Sequence, residues 1–144
     1  MDYLATTPTD RRVLDAMLPY FCESFGNASS ATHSFGQKGS MAVAQARRQV
    51  AALLNARERE VIFTSGATEA NNLALKGVAD WVKTGHIITA RTEHKAVLDV
   101  CKTLEDRGFG ITYLEVDRAG RIDLGALDHA INSDTVLVSL MGAN

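Results

Sequence analysis

Phe63-Thr64-Ser65-Gly66-Ala67-Thr68-Glu69-Ala70-Asn71-Asn72 is the stretch on which the fold turns. Ahead of it, Val61-Ile62-Phe63 is β-branched and aromatic and predicts a buried strand that ends here. Beyond it, Ala70, Leu73, Ala74, Gly77, Val78 and Trp81 recur at helical spacing. A small polar turn therefore joins a strand to a helix. Gly66 lets the backbone approach a ligand, and the first N–H groups of the helix have no partner within the helix. With the positive end of the helix dipole, those donors suit a phosphate, and the Ser65 and Thr68 hydroxyls add two more. Ser, Thr and Gly also make an ordinary capped helix start, so both readings stand on the turn alone.

On either side the pattern alternates between helix and strand. Val13, Leu14, Met17, Leu18 and Phe21 mark a helix after Pro8-Thr9-Asp10, which Pro19 should kink or shorten. The small, polar residues 24–40 read as an ordered loop. Val43, Ala46, Val50, Leu53 and Leu54 mark a second amphipathic helix. Later come a strand over 86–90, a helix over 95–107 and a strand over 111–116. A short helix with Leu124, Leu127 and Ile131 follows, then an apolar strand over 135–140. Strands that lack alternation and are separated by helices predict an α/β fold, with a mainly parallel sheet flanked by helices.

Composition bounds the function. The chain has 144 residues, 46% of them hydrophobic, which suits one domain with a real core. Its formal charge of -2 comes from interspersed signs, so no basic stripe invites nucleic acid. No apolar run is long enough to cross a bilayer, and the start resembles no signal peptide, which points to a soluble, cytoplasmic protein. Two cysteines, Cys22 and Cys101, are too few for a disulfide framework. Neither they nor the four histidines have metal-ligand spacing, so no metal is expected.

In a parallel sheet, ligands gather beyond the carboxyl ends of the strands, so the turns after Phe63, Ala90 and Leu140 should meet at one edge. The turn after Ala90 carries Arg91-Thr92-Glu93-His94-Lys95. His94 there can exchange protons near neutrality, and its flat ring can stack on an aromatic cofactor. A polar helix start, with Glu93 favoured by the dipole and His94 merely exposed, accounts for the same residues. His33 reads as a site residue or a loop hydrogen-bonding residue, His129 as a surface residue, and His86 as the start of a strand without a chemical task. Cys101 lies on the stripe Val97, Val100, Cys101, Leu104 and reads as core.

Several segments together resemble a family. Ala5-Thr6-Thr7-Pro8, Phe25-Gly26-Asn27 followed by His33 and Gly36, Phe63 to Asn72, and Thr92-Glu93-His94-Lys95-Ala96-Val97-Leu98 look like the cysteine desulfurases. These are pyridoxal-phosphate enzymes of the class V aminotransferase group, and the Glu93 to Leu98 segment is similar to their iron-sulfur and nitrogenase-type branch. The resemblance implies the fold-type I architecture. Residues 1–144 would form an incomplete transferase domain, with a helical and loop segment over 1–58 and the first part of the cofactor-binding sheet over 59–144. It also implies that the Ala67 N–H and Thr68 bind the cofactor phosphate, and that His94 stacks on the pyridine ring and acts as a catalytic proton carrier. Further implications are L-cysteine as substrate, an iron-sulfur scaffold or other sulfur acceptor as partner, and a homodimer.

In family members the cofactor-anchoring lysine, the aspartate facing the pyridine nitrogen, the substrate-binding arginine and the persulfide-forming cysteine lie beyond the position of Asn144. Lys38, Lys76, Lys83, Lys95 and Lys102 do not match the anchoring motif, although Lys95 follows a histidine as that lysine does. Neither cysteine matches the nucleophile. Asn144 matches the first of two consecutive asparagines, and Leu4, Ala28 and Gly142 depart from the usual residues. The expectation is an N-terminal portion, inactive alone. Alternatives are another class V aminotransferase or lyase, or a non-catalytic phosphate-binding complementation module.

Overall fold

The computed structural model describes residues 3, 6–30 and 32–143; Leu4, Ala5 and Asn144 lie outside the described residues. The chain divides into two compact units, Met1–Phe63 and Thr64–Asn144.

The first unit is helical. Helix α1 spans Arg11–Cys22, and its N-cap Asp10 accepts the Arg12 N–H at 2.8 Å. The Arg12 guanidinium beside it holds the Asp10 carboxyl below its ordinary range. Pro19 does not shorten this helix, which runs on for three residues while the Pro19 carbonyl accepts the N–H groups of Glu23 and Ser24. Helix α2 spans Ser34–Leu53, so the expected loop over 24–40 ends at His33. His33 is the N-cap, its Nδ1 accepting the Gly36 N–H at 3.1 Å. The glycines that suggested a loop instead allow helix and loop to touch. A Cβ on Gly36 would lie 1.7 Å from the Ser30 carbonyl oxygen, and one on Gly39 would lie 2.4 Å from that of Gly26.

A 3-10 turn at Glu58–Glu60 follows. The strand expected at Val61-Ile62-Phe63 is not formed: these residues join no sheet, and Ile62 and Phe63 are exposed. β propensity needs a neighbouring strand to become a strand, and here the Val61 carbonyl is taken by the Arg47 guanidinium, which also lies 5.1 Å from the Phe63 ring.

The second unit alternates as expected. Helix α3 covers Ala67–Val82, strand β1 His86–Ala90, helix α4 Lys95–Glu105, strand β2 Gly110–Leu114, helix α5 Leu124–Ala130 and strand β3 Thr135–Val138. The sheet order is β2-β1-β3, with both pairings parallel. Ile87, Ile88, Thr89 and Ala90 are all buried, which explains the lack of alternation in β1. One core joins Ile87 to Leu75 and Ala79 of α3, to Val97, Val100, Cys101 and Leu104 of α4, and to Phe109.

The apolar stripe that marks α3 in the sequence is not the face the helix buries. Leu73 and Trp81 are exposed, Trp81 at 87%, whereas Leu75 and Ala79 enter the core. Helix α3 is apolar on two faces, and periodicity finds a stripe without saying which one the sheet takes.

Candidate functional site

Three residues, Lys83 to Gly85, join α3 to β1, and Leu75 and Ala79 of α3 share a core with Ile87, so the helix packs back along the strand. Helix α3 is about 24 Å long and β1 about 17 Å, so the first turn of α3 stands at or beyond the C-terminal edge of β1. Helix α4 starts four residues after β1 ends, at the same edge. Strand order reverses at β1, the arrangement that opens a ligand crevice beyond the strand ends of an α/β sheet. Ala67, Thr68 and His94 are therefore brought to one edge.

At the start of α3, the N-cap Gly66 provides no side-chain cap, and a Cβ built on it would meet nothing within 4 Å. The N–H groups of Ala67 and Thr68 and the Thr68 hydroxyl have no partner among the described residues. Ser65 differs from expectation. Its N–H and its hydroxyl both donate to Glu69 Oε2, at 2.7 and 2.6 Å, which holds the Glu69 carboxyl below its ordinary range. A hydroxyl has one proton, so Ser65 is committed to Glu69 and does not point a free donor forward.

His94 is the N-cap of α4. Its Nδ1 accepts the Ala96 N–H at 3.1 Å, so in this arrangement the neutral ring carries its proton on Nε2. Nε2 has no partner among the described residues, and the side chain is exposed. Beside it Glu93 is buried, at 8% exposure, and its Oε1 accepts the Met141 N–H at 2.5 Å. Ser139 N–H donates to the Ile88 carbonyl at 2.8 Å, so the chain leaving β3 is held along β1 and then by Glu93. The turns after Ala90 and Leu140 thus meet as expected. Sequence reasoning missed the burial of Glu93. The only signal available was an acid three residues beyond a strand that lacks polar alternation.

The remaining histidines and cysteines are elsewhere. His86 lies at the opposite edge of the sheet, where Nδ1 is 2.9 Å from Thr135 Oγ1 and Nε2 is 2.8 Å from Thr112 Oγ1, pinning β1 to both neighbours. His129 is exposed, with Nδ1 at 2.6 Å from the Gly125 carbonyl oxygen. Cys101 is fully buried, and burial, reinforced by Glu105 and Glu93, pushes its thiol up to about 11. Lys95 is exposed and pairs with Asp99 at 3.5 Å. Among the described residues no cluster of His, Cys, Asp and Glu could hold a metal, and no helix is long and apolar enough to cross a membrane.

A parallel sheet with helix starts gathered at its carboxyl edge is an architecture that serves many chemistries, and comparison with known proteins narrows it. The model of the class V aminotransferase family matches residues 1–144, and the chain belongs to that family. Within it, the chain is 56% identical, over 99% of its length and 33% of the relative, to the mitosomal cysteine desulfurase of Trachipleistophora hominis. It is 54% identical, over 100% of its length and 36% of the relative, to the cysteine desulfurase IscS of Anaeromyxobacter sp. (strain Fw109-5). Among solved structures it superposes on a NifS-like protein with a TM-score of 0.93 at 41% identity, covering 99% of this chain and 40% of that one. The chain spans about a third of the length of these curated relatives.

Proposed function

We propose that this chain forms one wall of the active site of a pyridoxal-phosphate-dependent cysteine desulfurase, which converts L-cysteine to L-alanine and passes the sulfur on as a persulfide for iron-sulfur cluster assembly. The observation that carries this reading is the sheet edge: an uncapped helix start and a histidine with an unoccupied Nε2, in a chain 54–56% identical to enzymes named cysteine desulfurase. The family resemblance also implies a homodimer and a sulfur-accepting scaffold; a cytoplasmic working place is read from the sequence, not from the family, one relative of which is mitosomal.

The residues present fit the cofactor. A phosphate dianion needs several donors and a positive potential, and α3 offers the Ala67 and Thr68 N–H groups, the Thr68 hydroxyl and its dipole, with open space before Gly66. Pyridoxal phosphate, when bound, supplies the electron sink for cleaving bonds at the amino acid. The chain's own residues orient and move protons. Ala67 and Thr68 fix the phosphate end, and His94 offers a flat ring whose Nδ1 is held by the helix while Nε2 gives or takes a proton.

Two experiments test this. The chain alone, treated with pyridoxal phosphate and borohydride, is expected to gain no stoichiometric lysine link, and an adduct on Lys95 would overturn the incomplete-site reading. Complementing the chain with the remaining length of its relatives should restore alanine and sulfide production from cysteine. Activity on another amino acid with none on cysteine would assign the chain to a different class V reaction.

A further inference from the structure

The Glu93 carboxylate lies at the functional edge but makes no contact that the proposed chemistry requires. Among the described residues, Thr89 and Glu93 are the buried polar side chains. A carboxylate removed from water costs free energy unless donors meet it. Glu93 has one from far along the chain: the Met141 N–H, 2.5 Å from Oε1 and 48 residues away. It also stands one residue before the N-cap of α4, where the helix dipole favours a negative charge. Its own N–H donates to the Ala90 carbonyl at 3.3 Å, closing the turn that follows β1.

These bonds tie together two segments with different parents. On one side is the 91–94 turn, which ends in His94. On the other is the exit from β3, where the last ladder bond is Ser139 N–H to the Ile88 carbonyl and the next hold along the chain is Glu93 on Met141. Without that carboxylate, nothing among the described hydrogen bonds fixes the backbone at Met141. We infer that Glu93 is a positioning residue: it sets the exit of β3 against the turn that presents His94, acting on the site through those two segments and touching neither cofactor nor substrate. The link to a cofactor rests on the function proposed above; the clamp itself does not.

The test uses the complete, cofactor-reconstituted enzyme and, in parallel, its cofactor-free form. Glu93→Met keeps the volume and removes the acceptor, whereas Glu93→Gln keeps an acceptor oxygen without the charge. In the cofactor-free protein, Glu93→Met should speed exchange of the Met141 amide by about 10-fold or more, the effect of losing a hydrogen bond to a charged group. The amides of β1 should keep their protection, and Glu93→Gln should restore most of the Met141 protection. With cofactor bound, Glu93→Met should reduce the circular dichroism of the cofactor band, with recovery in Glu93→Gln. Unchanged Met141 exchange in Glu93→Met would overturn the clamp. Faster exchange with an unaltered cofactor band would leave a purely structural tie and overturn the positioning role. If His94→Ala also leaves that band unaltered, the cofactor-facing reading of His94 fails instead, while the exchange result still decides the clamp.

Discussion

Thr68 and His94 each combine a local structural position with a proposed chemical task, and substitutions can separate the two. Thr68→Val keeps the shape at the second residue of α3 and removes the hydroxyl. In the reconstituted enzyme it should weaken cofactor retention by roughly 10-fold or more, read by absorbance titration, because one bond to a charged group is lost. His94→Asn is more selective. Asparagine is among the best N-caps, so α4 should keep its start and thermal stability should change by less than about 1 kcal/mol, while cofactor-band circular dichroism and turnover fall. The Thr89 hydroxyl is buried without a partner among the described residues, so Thr89→Val should stabilise the fold by roughly 1–3 kcal/mol in urea unfolding. Cys101 gives a pH signature. Its folded thiol sits near 11, above its ordinary 9.0, so the protonated form contributes stability that is complete below about pH 9. That contribution should be lost as pH rises through 11, by roughly 2–3 kcal/mol relative to Cys101→Ala in unfolding measurements.

Elements differ in how far their residues announce them. Strand β1 and helix α4 were legible because their patterns allow one outcome: a short β-branched run without polar alternation for a strand buried on both faces, and Val97, Val100, Cys101 and Leu104 for a helix buried on one. The start of α2 was not, since Gly36 and Gly39 look like loop residues until the Ser30 and Gly26 carbonyls are seen against them. This contrast is testable with two alanines. Gly36→Ala should destabilise by more than about 2 kcal/mol, because backbone would have to move. Gly77→Ala in α3, where a Cβ meets open space, should instead stabilise by about 0.5–1 kcal/mol. In the candidate site, Ala67, Thr68 and His94 were singled out from turn composition and resemblance. Glu93 was not, since its partner lies 48 residues away and is a backbone amide, which carries no side-chain signal.

The described part of the second unit has three parallel strands, with β2 and β3 at its edges. An edge strand presents unpaired backbone groups that can recruit another chain, and Val138 on β3 is 39% exposed. The isolated chain should therefore associate with increasing concentration, and Val138→Lys should raise its soluble limit about severalfold, measured by light scattering. The order β2-β1-β3 has a consequence in time. The central strand is the first of the three to be synthesised, and each later strand meets an edge already present, first on one flank and then on the other. Assembly of this sheet can thus follow the ribosome outward from the middle, with no strand having to be threaded between two others that arrived before it.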